Sequence, residues 1–240
     1  EAFNDCNGFN GELKLPSRLK SIDSGVFTNC RKMCGSLRIP DSVITINKKA
    51  FADCVGFNEL ILHDSIQNIG QFCFENCIGF SNDLVLPKSL QIVEKNAFAN
   101  CTGFKSLKIQ DYVTEIHQFA FFNCSGLKGS LKIPDKVKII SNSSFYNCVS
   151  LNGNLTLSNC LEKIESFAFY NCKNLIGQLI IPQSTAEIMQ NAFSGCSNLF
   201  GNLTIPNSMK SISFESFSNC CSLNGTLTIP SSVEQIENCF

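Results

Sequence analysis

Phe169-Tyr170-Asn171-Cys172, followed at a fixed distance by Leu179-Ile180-Ile181-Pro182, is one copy of a unit that fills the chain. The Phe-x-x-Cys element recurs at Phe3/Cys6, Phe27/Cys30, Phe51/Cys54, Phe74/Cys77, Phe98/Cys101, Phe121/Cys124, Phe145/Cys148, Phe169/Cys172, Phe193/Cys196 and Phe217/Cys220. The ten copies lie 23 or 24 residues apart, and a fixed period of that length is the signature of a stacked repeat. Each Cys is followed three residues later by Phe, Met or Leu, and then by a Leu-x-Ile or Leu-x-Leu triplet, from Leu13-Lys14-Leu15 to Leu227-Thr228-Ile229. Seven triplets run into Pro, at 16, 40, 87, 134, 182, 206 and 230, and these are all the prolines of the chain.

The triplet alternates as a short strand does, with its first and third side chains inward and its middle one outward. Pro ends it because Pro has no N–H for a ladder. A Val-x-x-Ile segment (Val43/Ile46, Val137/Ile140, Val233/Ile236) then carries the chain back across the core, and a small residue plus Phe enters a segment expected to be a short helical or 3₁₀ turn. Two units, at Phe57 to Leu60 and Phe104 to Leu107, are one residue short before the triplet. Seven of the other eight place Gly there (11, 35, 129, 153, 177, 201, 225) and the eighth places Asn82, so a one-residue bulge with positive φ is expected at this point. One coil cannot bury enough apolar surface to offset its own ordering, whereas stacked coils cover each other's edges. The fold expected over residues 1–240 is therefore a single, mostly β solenoid: a right-handed coil of ten repeats with a parallel sheet on one face.

Composition agrees with a packed core and narrows function. Of the 240 residues 44% are hydrophobic and 16% charged, with 21 Phe, 15 Cys and no Trp. A formal net charge of −1 gives no global attraction to nucleic acid. No apolar run reaches the roughly 18 residues of a membrane span, so this segment is not expected to insert. With two histidines, His63 and His117, and no Gly-x-Ser-x-Gly, His-Glu-x-x-His or P-loop, no catalytic residue, cofactor or metal is expected. Asp41, Asp64, Asp111 and Asp135 share one repeat position, where turn-forming Asp is a simpler explanation than paired calcium ligands.

The ladder cysteines have the spacing of stacked small hydrophobes, and there is no Cys-x-x-Cys of a local metal site. Cys34 and Cys160 fall on exposed positions, while Cys73 and Cys239 replace the small residue before Phe. Asn or Asp precedes the ladder Cys in nine units, with Gly195 the exception, and this column is read as hydrogen-bonding backbone of its own coil and the next. Six Asn-x-Ser/Thr sequons occur, at Asn100, Asn123, Asn142, Asn154, Asn202 and Asn224; the first two sit in that column.

The pattern resembles the BspA-like class of leucine-rich repeats, on Ile39-Pro40-Asp41-Ser42-Val43 and on Ile164 to Cys172 (Ile-Glu-Ser-Phe-Ala-Phe-Tyr-Asn-Cys), and the Gly-x-Leu-x-Ile-Pro-x-Ser variant is similar to copies from parasitic protozoa. The resemblance spans the chain, although His63, Gln110 and Ser158 replace the Pro. It implies a leucine-rich-repeat scaffold at the cell surface or secreted, with some bacterial members acting as adhesins for extracellular-matrix proteins. With no polar capping segment at either end, the chain reads as an excerpt of a longer array, and end-to-end self-association is expected.

The outward triplet residues are Lys14, Arg38, Ile61, Val85, Lys108, Lys132, Thr156, Ile180, Thr204 and Thr228. The first six form the candidate ligand-binding patch, an aliphatic centre with a cationic rim suited to an acidic protein segment or a sulfated glycan. The alternatives are a structural surface coat or spacer array that self-associates, and an intracellular interaction scaffold.

Overall fold

A computed structural model describes residues 2–237 of the chain; Cys239 lies outside them. The ten Phe-x-x-Cys units stack as a parallel β-solenoid, and from Phe3 to Phe217 the chain completes nine turns. Coils are numbered here by those units. Each ladder Phe lies face to face with the next: centroids from Phe3–Phe27 to Phe193–Phe217 are 5.2–5.7 Å apart, with ring planes within 16°. Parallel rings at that spacing are offset stacks, a favoured aromatic geometry. The inward triplet residues complete the core, with Leu84, Leu86, Leu131 and Ile133 at 2% exposure or less.

Triplets of neighbouring coils pair in parallel register, as Leu84↔Leu107 with Val85↔Lys108, and Leu131↔Leu155 with Lys132↔Thr156. The length difference between coils is absorbed just before the triplet, where the register of Gly35–Arg38 on Phe57–Ile61 shifts between Gly35 and Ser36. Gly35, Gly129, Gly177 and Gly201 have the expected positive φ, at 77–93°. Gly11, Gly153 and Gly225 do not, and for Gly153 and Gly225 close approach is the constraint: an added Cβ would lie 2.4 Å from Ser130 Oγ and 2.0 Å from Asn202 Oδ1.

Two features differ from the sequence expectation. First, the segment after Val-x-x is itself a strand, so the solenoid carries a second parallel sheet. Its longest run joins Ile92–Val93, Glu115–Ile116, Ile139–Ile140, Lys163–Ile164 and Glu187–Ile188. The first residue of each pair faces out and the second is buried, an alternation too short to announce itself as period two.

Second, the expected helical or 3₁₀ turn is absent from the described residues, which are turns there. Alternate amides do different jobs. Val26, Thr28 and Cys30 donate N–H three residues back, to Asp23, Gly25 and Phe27, while Gly25, Phe27 and Asn29 donate to Lys48, Ala50 and Ala52 of the next coil. A helix would send all these bonds along its own axis, whereas the alternation spends half of them on stacking.

The alternation needs a left-handed residue every fourth position, and this explains the Asn/Asp column. Asp5, Asn29, Asp53, Asn76, Asn100, Asn123, Asn147, Asn171 and Asn219 all have φ of 55–62°, and Gly195, the exception in sequence, has φ 78°. Asn, Asp and Gly tolerate that region best. The side chains bond to one another along the stack, where bonds to backbone were expected: Asn76 Nδ2 donates to Asp53, and Asn100, Asn123, Asn147 and Asn171 each donate to the preceding Asn Oδ1 at 2.6–3.0 Å.

Asn147→Ala removes two ladder bonds and puts a Cβ-bearing residue without a local hydrogen bond in the left-handed region, so it should destabilise the protein by about 3 kcal/mol. Asn147→Gly should be milder by about 0.5–1 kcal/mol. Equal losses in urea titrations would remove the backbone from the account.

At the small-residue position before Phe, Ser144 and Ser216 have no exposure and their hydroxyls have no partner among the described residues, where six of the other eight coils place Ala. Ser144→Ala should therefore raise stability by about 1 kcal/mol; a loss would mean that the hydroxyl is bonded.

Candidate binding faces

The cysteine ladder is the strongest concentration of chemistry, and it is turned inward. Each ladder thiol from Cys30 to Cys220 donates Sγ–H to the carbonyl of the ladder Phe one coil earlier, at 3.0–3.3 Å, as Cys54 to Phe27 and Cys124 to Phe98. The same carbonyl takes the Cys N–H of its own coil, as Cys30 to Phe27 at 3.3 Å. All described cysteines are free thiols. Burial pushes the thiols of Cys54, Cys124 and Cys220 up to about 12, and desolvation raises Cys77, Cys101, Cys148 and Cys196 well above their ordinary value. Neutral, buried thiols are poor nucleophiles and poor metal ligands. Cys34, Cys160 and Cys221 are exposed, and Cys73 is buried at the small-residue position.

Aspartates at the strand exits are engaged by lysines of the next coil: Lys88 Nζ to Asp64 at 2.6 Å and Lys132 Nζ to Asp111 at 3.0 Å. The Lys88 hydrogen bond holds the Asp64 carboxyl below its ordinary value. Among the described residues no cluster of three His, Cys, Asp or Glu could hold a metal.

The triplet face carries the six candidate residues at the same position of successive coils. Lys14, Arg38, Val85, Lys108 and Lys132 are exposed, Val85 by 47%, and Ile61 is half-buried, less open than its sequence position implies. Sheet register sets Arg38 opposite Ile61 and Val85 opposite Lys108, so the two aliphatic side chains of coils 3 and 4 are flanked by cations on both sides. Lys132 shares its charge with Asp111, whereas Lys14, Arg38 and Lys108 have no ion pair among the described residues. Lys14 and Arg38 flank a cavity of about 550 Å³ that Ser17 and Ser36 also line, together with Glu12 and Asp41.

A second face was not legible in advance. Along the second sheet run cavities of about 610 Å³, lined by Gln67, Lys88, Gln91 and Tyr112, and about 730 Å³, lined by Thr114, His117, Lys138 and Glu165. His117 bridges two carboxylates there, Nε2 to Glu115 at 2.9 Å and Nδ1 to Glu94 at 3.3 Å. The repeated x-Ile pair before each turn was the available signal. A third surface, the stack Phe122–Tyr146–Tyr170 with centroids 4.9 and 4.8 Å apart, covers its ring faces internally.

This architecture defines a repeat scaffold that displays different side chains on fixed faces. The model of the BspA-type leucine-rich repeat region matches six copies, over residues 1–128, 79–199 and 127–240, and the chain belongs to that family. Comparison with curated protein sequences gives no match. Among solved structures, a leucine-rich repeat protein from Bacteroides ovatus is 22% identical (TM-score 0.50; 98% of this chain, 76% of that one). A leucine rich cell surface protein from Faecalibacterium prausnitzii is 22% identical (TM-score 0.54), and the chain spans 63% of it with 96% of its own length. A leucine-rich repeat protein from Eubacterium ventriosum is 15% identical (TM-score 0.58; 91% of this chain, 79% of that one). At these identities the likeness concerns the fold.

The thiols make the solenoid sensitive to alkali. Below pH 9 they are protonated in both folded and unfolded chains. Above it the unfolded thiols ionise while buried ones such as Cys124 stay neutral to about pH 12, so stability falls across that window by up to about 1.4 kcal/mol per thiol per pH unit. Urea midpoints at pH 8, 9 and 10 should drop steeply, and an unchanged midpoint at pH 10 would contradict the buried ladder.

Proposed function

We propose that the chain is a non-enzymatic cell-surface recognition module, an adhesin-like protein that binds an acidic extracellular-matrix or host-surface macromolecule along the triplet face of coils 1–6. The observation that carries this reading is the set of exposed cations that flank Ile61 and Val85 at one outward position of six successive coils. Lys14, Arg38, Lys108 and Lys132 would steer an anionic protein segment or sulfated glycan towards the sheet, and the aliphatic side chains would supply the contacts that lose water. Family membership and the cell-surface description of the Faecalibacterium relative support the location. No helix among the described residues is long and apolar enough to cross a membrane.

Surface plasmon resonance against matrix proteins and heparin separates the roles. Arg38→Glu with Lys108→Glu should slow association by roughly tenfold at low salt and flatten its salt dependence. Val85→Asp should mainly speed dissociation, and Thr228→Asp should change little. None should move the unfolding midpoint by more than about 0.5 kcal/mol, as these side chains point outward. Affinity carried by the Thr-rich coils would overturn the patch.

A further inference from the structure

We propose that Asn154 and Asn202 are N-glycan acceptors, and that their glycans cover an exposed apolar patch made by Ile176, Ile180 and Phe200. The inference rests on the surface reading above, because acceptance requires passage through a secretory compartment.

The fold sorts the six sequons by what their side chains already do. Asn100 and Asn123 belong to the buried-side amide ladder: each donates Nδ2 to the Asn before it, at 2.8 and 3.0 Å, and each accepts from the one after. The middle residues of these two sequons, Cys101 and Cys124, have no exposure. At Asn142 the third residue is Ser144, whose hydroxyl is also fully buried. Asn154 and Asn202 are different. Both are exposed, as are Thr156 and Thr204 two residues on, and neither Nδ2 has a partner among the described residues. Asn202 accepts the N–H of Thr226 through Oδ1, at 2.7 Å, which orients the amide and leaves the nitrogen outward. Asn224 shares the exposure, on the coil after Asn202.

The patch between them is an independent observation. Ile180, at the outward triplet position between Thr156 and Thr204, is 69% exposed, and Phe200 (50%) and Ile176 (42%) are exposed in the segments that lead into the triplets of their coils. Asn154 bridges directly to Ile176, and Gln178 pairs with Phe200, two residues before Asn202. Asn154 and Asn202 hold the same position in coils 7 and 9, with Ile180 on the coil between. Adjacent strands lie about 4.8 Å apart, so the acceptors stand about 10 Å apart on either side of the patch. Uncovered apolar clusters on a soluble surface invite association.

In the transfer, the Asn Nδ2 forms a bond to the anomeric carbon of an oligosaccharide carried on a polyprenyl diphosphate. The bond from that carbon to the diphosphate oxygen breaks, the lipid diphosphate leaves with the electron pair, and one amide proton passes to a base of the transferase.

The chain secreted from cultured eukaryotic cells behind an added signal peptide provides the test. Peptide-N-glycosidase in heavy-oxygen water should convert Asn154 and Asn202 to labelled Asp and leave Asn100 and Asn123 unlabelled. Asn154→Gln and Asn202→Gln should each remove one glycan increment from the intact mass. Enzymatic removal of the glycans after secretion should raise binding of a hydrophobic dye several-fold, and Ile180→Ser with Phe200→Ser should abolish that rise. Bare Asn154 and Asn202, or labelled Asn100 or Asn123 in the folded monomer, overturns the assignment, and unchanged dye binding overturns the covering role. Occupied sites with no matrix binding would sink the recognition patch and leave these acceptors standing; bare sites with intact binding do the reverse.

Discussion

The carbonyl oxygen of the ladder Phe in coils 1–9 accepts two hydrogen bonds, and the rest of the coil is arranged to supply them. Phe27 illustrates the solution: Cys30 of its own coil donates N–H and Cys54 of the next donates Sγ–H. An unsatisfied buried acceptor costs on the order of 1–3 kcal/mol, and the repeat multiplies that cost by the number of coils. Cysteine answers this need because it is small, apolar enough to be fully buried, and still a weak donor. Alanine would fill similar space without a donor, and the bare hydroxyl of Ser144 shows what an unmatched polar group looks like in this core.

The second constraint is backbone handedness. Sending alternate amides to the next coil requires left-handed residues at two positions per turn, four residues apart. The inner one is nearly all Asn or Asp, with Gly195 as the equivalent solution. The outer one is permissive: Gly25, Lys49, Phe72, Asn96, Phe119, Ser143, Phe167, Asn191 and Glu215 occupy it at φ of 50–65°. Bulky residues there are strained, and stacking over-determines the turn strongly enough to hold them. Phe119 and Phe167 pack edge-on against Phe122 and Tyr170, which recovers part of the cost.

Because core and turns are repeated almost without change, individuality is confined to side chains that point away from them. Arg38, Ile61, Val85 and Lys108 on one half of the triplet face contrast with Thr156, Ile180 and Thr204 on the other, though their backbones are equivalent. Substitutions on these faces can change recognition or modification with little effect on folding, whereas each ladder residue is tied to the coils before and after it.

The period, the inward and outward halves of the triplet, and the buried Phe and Cys columns were legible in the sequence, because each depends on side-chain type at a fixed spacing. Recurrence of Phe27, Phe51 and Phe74 with their cysteines needs no coordinates to be seen. Tertiary structure alone decided where the backbone bonds go. It made strands of pairs such as Glu115–Ile116, replaced a helical turn with alternating bonds, and gave the Asn column left-handed geometry as its main reason for being Asn. It also separated Asn154 and Asn202 from Asn100 and Asn123, which share one sequon pattern. The physical reason is common to all of these: a side chain's polarity is carried in its letter, but the partner of an N–H, a carbonyl or an amide nitrogen lies on the neighbouring coil, roughly one full period away, and exists only once the coils are stacked.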